Sequence, residues 1–330
     1  MHRTHTRARR GHLLAVAAAG LAALAVSASP AAAHNVSHAA KASPSSALCA
    51  WNGGGFSSLD ALAGRSAARG TGADFAVREK AQLMEDTEVP TGTTGGTSSF
   101  TDTIDVYFHV VAAGKTPKQG WVSQDHVDEQ ISALALSLSG FYGGYDTGFK
   151  LRLAATDYTI NKAWFDQATF SDEVAMKSAL KRGDSTDLNI YSTSGGGYLG
   201  WAYYPSIVTS NQYRVLDGVV IHYGSMPGGS VRNYNLGFTA SHETGHWLGL
   251  AHTFEKGCIG GGDHVSDTPE QGVPTSGCPA DNTQDTCSTP GWDPIHNYMD
   301  YSYDRCYTQF TKGQGDRMQK QWSHWRLGRA

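Results

Sequence analysis

The sequence holds 330 residues, with 26 Lys and Arg against 30 Asp and Glu, for a formal net charge of -4 at pH 7. That slightly acidic balance, with no basic stretch beyond the first ten residues, argues against a nucleic-acid binder. Trp, Tyr and Phe number 8, 15 and 11, enough apolar bulk for a sizeable core, and no segment after the N-terminus reads as a membrane span.

The chain opens on an export signature. His2, Arg3, Arg7, Arg9 and Arg10 form a basic start, "LLAVAAAGLAALAV" (13 to 26) an apolar core, and Ala31, Ala32 and Ala33 a small-residue cleavage site. The core falls short of the roughly 20 apolar residues that cross a bilayer, which favours a cleaved signal over residues 1 to 33 against a membrane anchor. An exported protein can oxidise its cysteines. Of the five, Cys258, Cys278, Cys287 and Cys306 cluster near the C-terminus and are expected to form two disulfides. Four cysteines allow three connectivities and nothing in the residues alone chooses among them. Cys49 is left as a free thiol.

Residues 34 to 100 are rich in Ala, Ser, Gly and Thr, with a helix-like patch at "FAVREKAQLMED" and a loose end, "PTGTTGGTSSF". They read as a pro-segment and linker, the alternative being an extension without a regulatory role. Ordered elements start near Thr101. "TIDVYFHVVA" (103 to 112) alternates like a strand, and "SQDHVDEQISALALSLSGFY" (123 to 142) sets Val127, Ile131, Leu134, Leu138 and Phe141 at helical spacing behind a Ser123 cap. "FKLRLAATDYTI" (149 to 160) reads as a strand, and "SDEVAMKSALKRG" (171 to 183) as a short helix from Ser171 to a Gly183 stop. Strand-like runs follow at 187 to 192, 197 to 205 ("GYLGWAYYP") and 217 to 224 ("DGVVIHYG"). Strands interleaved with helices predict an α/β sheet layered with helices. From Cys258 to about Arg305 the periodicity fades into Gly, Pro, Asp and Thr. A last helix, about 315 to 327, offers Met318, Trp322 and Trp325 as its buried stripe.

The chemistry concentrates in "SHETGHWLGLAHTF" (241 to 254). His242 and His246 are four apart and share a helical face, whereas His252 would point away if the helix continued. Gly249 resolves the conflict, because it can take positive φ and end the helix in a left-handed cap, turning His252 back toward the other two. Three neutral imidazoles suit a zinc ion that keeps its fourth position for water, and Glu243 stands beside the metal to accept a proton. Given the 14 His and 39 Gly of this chain, the five fixed letters of HExxHxxGxxH arise by chance roughly once in ten thousand such sequences. His109 and His222, in strand-like runs, read as core residues, and Trp247 as packing.

The string "HETGHWLGLAHTF", followed by "NYMDYSYDRCYTQFTKGQGDRM", resembles the metzincin metalloproteases and, within them, the pappalysin family with its ulilysin-like secreted enzymes. "GYLGWAYYP", "DGVVIHYGSMPGG" and "GDHVSDTPEQ" add to the likeness, which covers about residues 101 to 325. The resemblance implies an α/β (α+β) metzincin zincin-like fold. Its upper subdomain, about 101 to 252, would hold a mixed, mostly parallel sheet and two long helices. Its lower subdomain, about 253 to 330, would be irregular, disulfide-stapled and closed by a helix. It also implies a Met-turn at Met299, a Tyr301 that stabilises the oxyanion or serves as a movable ligand, and the pairs Cys258 with Cys287 and Cys278 with Cys306. Asp263, Asp267 and Thr268 resemble a calcium-binding stretch, although "DTP" is also an ordinary turn signal. Asp304 would wall a pocket favouring Arg or Lys after the scissile bond, the alternative being a solvated loop aspartate. Cys49 would act as a latency switch, its thiolate taking the open zinc position, although "ALCAWNG" departs from the family's arginine-cysteine-glycine surroundings. The function so implied is a secreted, monomeric zinc endopeptidase acting on proteins or peptides, free of the membrane once its signal is cut. The rival is a zinc-stabilised binding or adhesion module, which would show a replaced base or a lost third ligand, and neither is seen.

Overall fold

The structure is a computed structural model that describes residues 100 to 259 and 261 to 328. The expected signal, pro-segment and Cys49 lie outside the described residues. Five strands form one sheet, β1 (Asp102–Ala112), β2 (Phe149–Ile160), β3 (Leu188–Thr193), β4 (Gly200–Trp201) and β5 (Val219–His222), in the order β2-β1-β3-β5-β4. The first four in that order run parallel, and β4 closes the edge antiparallel to β5. In β1, Ile104, Val106, Phe108 and Val110 face one buried layer, while Val111 faces a second with Tyr191 and Val220, so the central strands read as apolar runs. No helix among the described residues is long and apolar enough to cross a membrane.

Helix α1 (Gln124–Leu138) starts at Ser123, whose hydroxyl accepts from the His126 amide, and buries Val127, Ile131, Leu134 and Leu138 as expected. Phe141 departs from that stripe. Gly140 takes φ 71°, the helix is over, and Phe141 turns outward, 69% exposed, against Tyr142. A short helix α2 (Lys162–Asp166), capped by Asn161, was not foreseen. Helix α3 (Phe170–Leu180) begins one residue before Ser171, because Thr169 and Asp172 form a capping box, and it ends at Leu180, three residues short of Gly183. The run at 197 to 205 narrows to the two residues of β4, since Pro205 opens a tight turn.

Helix α4 (Phe238–Trp247) carries the histidine motif and packs against α1 and β5. The final helix α5 (Lys312–Gln321), capped by a Thr311–Gln314 box, runs into a π turn over Trp322–Arg326. Met318 and Trp322 are buried as expected, but the wider turn rotates the face, so that Arg326 is fully buried and Trp325 is only half-buried. The irregular segment between α4 and α5 contains both expected disulfides, Cys258–Cys287 and Cys278–Cys306.

Candidate metal centre and cleft

All ten residues of α4 are buried. His242 and His246 project from successive turns, with their Nε2 atoms 3.2 Å apart. The helix then ends in a left-handed turn. Gly249 has φ 94°, its amide donates to the His246 carbonyl at 2.9 Å, and the Leu250 amide donates to the Gly245 carbonyl at 2.9 Å. That turn carries His252 back until its Nε2 lies 3.0 Å from that of His246. Among the described residues this triad is the group of three His, Cys, Asp or Glu side chains close enough to share one ion.

The donor set fits zinc on its own geometry. His242 Nδ1 meets the Tyr298 carbonyl at 2.6 Å and His246 Nδ1 meets the Leu250 carbonyl at 2.7 Å. A carbonyl only accepts, so both rings carry their proton on Nδ1 and turn an Nε2 lone pair inward. Burial lowers the His242 pKa to about 4 and holds His246 and His252 well below the usual histidine range, which keeps the imidazoles neutral. Lone pairs facing one another at such distances repel unless a cation lies between them. Zinc–nitrogen bonds of about 2.0 to 2.1 Å in a tetrahedron separate their nitrogens by roughly 3.3 Å, close to the observed spacing. His252 has Glu255 at 3.8 Å from its Nδ1 and Phe254 stacked on its ring at 4.8 Å.

Met299 lies beneath this floor, fully buried, with its sulfur against Gly245 so closely that a Cβ there would collide with it. The Thr253 amide donates to the Met299 carbonyl at 3.2 Å, which ties the methionine turn to the residue after His252. Asn297 accepts from the Met299 amide and exchanges side-chain bonds with Gln314 of α5. The Tyr301 hydroxyl is 3.4 Å from His252 Nε2.

Glu243 is 1% exposed, and its Oε2 has no hydrogen-bond partner. Burial pushes its carboxyl well above the usual range. Gly200 of β4 backs onto it: a Cβ there would come within 2.8 Å of Glu243 Cγ and 2.8 Å of the Val220 carbonyl. A pocket beside Glu243 is lined by Leu199, Tyr234, Phe238, Tyr301 and Asp304. Asp304 is buried at 2% exposure rather than solvated, accepts from the Leu236 amide at 2.8 Å, and has its pKa raised to about 7 by burial.

Asp263, Asp267 and Thr268 are hydrogen-bonded within the chain. The Thr268 hydroxyl lies 2.7 and 2.8 Å from the two Asp263 oxygens, and Asp267 accepts from the Thr311 hydroxyl and the Gly313 amide at the start of α5. His109 bonds Asp157 and Asn189 at 2.9 Å each, and the His222 ring accepts from the Gly224 amide at 2.8 Å, both as buried structural residues. Gly200, Gly245, Asn297 and Phe254 were not singled out from the residues. Their roles depend on which distant segments meet, and only the polar flanks of "NYMD" carried a local hint of a turn.

Residues 188 to 323 match the peptidase M43 family model, described as pregnancy-associated plasma protein-A. An extracellular metalloprotease of Neurospora crassa is 47% identical over 233 residues, covering 70% of this chain and 78% of the relative. Extracellular metalloprotease 1 of Coccidioides posadasii is 43% identical over 228 residues, covering 68% and 79%. Among solved structures, mature mirolysin of Tannerella forsythia in complex with a cleaved peptide is 29% identical with a TM-score of 0.55, covering 67% of this chain and 91% of that one.

Proposed function

The chain belongs to the pappalysin (peptidase M43) family and is an extracellular zinc metalloendopeptidase; from that premise we propose that His242, His246 and His252 hold the zinc and that Glu243 is the general base of peptide hydrolysis. The observation that carries this reading is the convergence of three Nε2 lone pairs beside a buried carboxylate with an unpartnered oxygen. Zinc held there would supply Lewis acidity, acidifying a water molecule and polarising the scissile carbonyl.

Glu243 Oε2 accepts the proton of the attacking water and passes it to the departing amine nitrogen. Its burial supports the role, since burial raises the proton affinity of the carboxylate and makes it the stronger base. The Tyr301 hydroxyl, next to His252, donates to the carbonyl oxygen as negative charge develops there. Met299 positions the triad from below. At the sheet edge, β4 offers backbone groups to an extended substrate beside Glu243, which suits a cleft that accepts many sequences. Asp304 lends its pocket a negative wall and with it a preference for Arg or Lys after the scissile bond. Cys49 keeps the proenzyme latent by offering a thiolate to the metal, so a Cys49→Ser proenzyme is expected to be active before processing.

Glu243→Ala tests the assignment. It should retain its zinc and lose about 10² to 10⁴ in the rate of peptide cleavage, and full proteolysis by this variant would sink the reading. A peptide-library profile checks the pocket: Arg and Lys should dominate after the cut, and an apolar preference would remove Asp304 from the account.

A further inference from the structure

Two arginines from the C-terminal end reach the turn that joins the second and third histidines. Arg317 of α5 donates from Nε to the Gly249 carbonyl at 2.8 Å. Arg326, in the π turn after α5, donates to the Trp247 carbonyl from Nη2 at 2.9 Å and from Nε at 3.2 Å. Its guanidinium carbon sits 3.6 Å from the centre of the Trp247 ring. The rest of the fork is anchored elsewhere: both Asp217 oxygens accept from it, at 3.0 and 3.2 Å, and so does the Ser185 carbonyl at 2.9 Å. Ser185 in turn donates to the Arg326 carbonyl at 2.7 Å, fixing the turn itself. Gln321 of α5 lies directly beneath Gly249, where a Cβ would strike its side chain.

The two carbonyls held in this way lie between His246 and His252, at the end of a helix, where such groups have no donor within the helix. Positive charge at that end also opposes the negative pole of the helix. The position of His252 relative to His246 depends on the dihedral angles of 247 to 249, and a tetrahedral ion tolerates little drift in its ligands. A packing role alone would not require two guanidinium groups aimed at two carbonyls of one short turn.

We propose that Arg317 and Arg326 form a clasp that positions the turn between the second and third histidines and thereby sets the affinity of the site for zinc. The proposal rests on the reading of the triad as the zinc site. Both are positioning residues, acting through the backbone that carries His252. The C-terminal turn is thus part of the metal centre's support.

The test is zinc affinity, measured by competition with a chromophoric chelator on the full chain carrying Glu243→Ala to suppress self-cleavage, together with the melting temperature of the zinc-free form. Arg317→Met and Arg326→Lys should each weaken zinc binding by about 10- to 100-fold, and Arg317→Lys, which keeps a donor within reach, should recover most of the loss. Met176→Ala, in the core layer on the other side of the sheet, should lower the melting temperature and leave the affinity unchanged. If Arg326→Lys fails to fold, Arg317→Met decides. Zinc affinity in Arg317→Met within twofold of the parent, or a loss no larger than that of Met176→Ala, overturns the clasp. A parent chain that binds no zinc instead overturns the reading of the triad.

Discussion

Gly200 and Gly245 each leave out a side chain where the site needs the room, one for Glu243 and one for the Met299 sulfur. Gly200→Ala should therefore lower kcat for peptide cleavage while zinc content stays at the parent value, because its Cβ displaces the base and not a ligand; an unchanged kcat would contradict this. Asp304 carries a second consequence at the same scale. Its pKa of about 7 in the folded chain stands above the ordinary 3.8, so the native state holds a proton that the unfolded chain has released between those values. Stability from this group is then present below pH 4 and lost as pH rises through about 7. Asp304→Asn should gain stability relative to the parent as pH rises from 4.5 to 7.5, read from urea midpoints in both buffers. In the parent, the preference for Arg and Lys should fade below pH 7 as the carboxyl protonates, and a preference independent of pH would count against the pocket assignment. The histidines, Glu243 and Gly249 were legible because they fall within one short stretch, His242 and His246 at helical spacing and Gly249 at the turn that leads to His252. Gly200 was not, since its neighbour Glu243 lies in a different element and meets it only once β4 has paired with β5.

Local pattern also decided which elements could be read. Helix α1 followed from its apolar spacing and Ser123 cap, β1 from its alternation, and β2 and β5 as strand-like runs. The reading failed where a backbone feature overrode periodicity: at Gly140, which released Phe141; at Pro205, which cut β4 short; and in the π turn that exchanged Trp325 for Arg326. The edge strand is supported from behind by a buried pair. Lys177 lies 3.0 Å from Glu173, both fully buried, and Glu173 accepts from the Trp201 indole at 2.8 Å and the Tyr203 hydroxyl at 3.2 Å. Lys177→Met leaves that carboxylate without its counter-charge and should cost about 3 to 5 kcal/mol, seen as a fall in the urea midpoint. The disulfide between Cys278 and Cys306 spans 28 residues and anchors the turn that carries Asp304. Replacing both cysteines with serine should destabilise the fold by about 2 to 4 kcal/mol and blur the Arg and Lys preference before it reduces zinc content.

At the scale of the molecule, a mostly parallel sheet and its helices present one buried helix, and an irregular, disulfide-bonded segment returns beneath it to pack Met299 against Gly245 and to bring Tyr301 and Asp304 to the same cleft. The mostly parallel sheet and the roles of these late residues beside the triad came through likeness to the pappalysins and not through periodicity, because segments without a repeat carry no local sign of where they dock; the order of the strands was legible from neither. The central claim is that a single zinc at the triad, with Glu243 as base, performs the hydrolysis. It is tested most directly by stripping the metal with a chelator and titrating zinc back while following peptide cleavage. The account predicts that activity disappears with the metal and rises linearly to a plateau at one zinc per chain, and that Glu243→Ala takes up the same single equivalent without regaining activity. Cleavage by the zinc-free chain, or a Glu243→Ala chain that regains full activity with zinc, would contradict it.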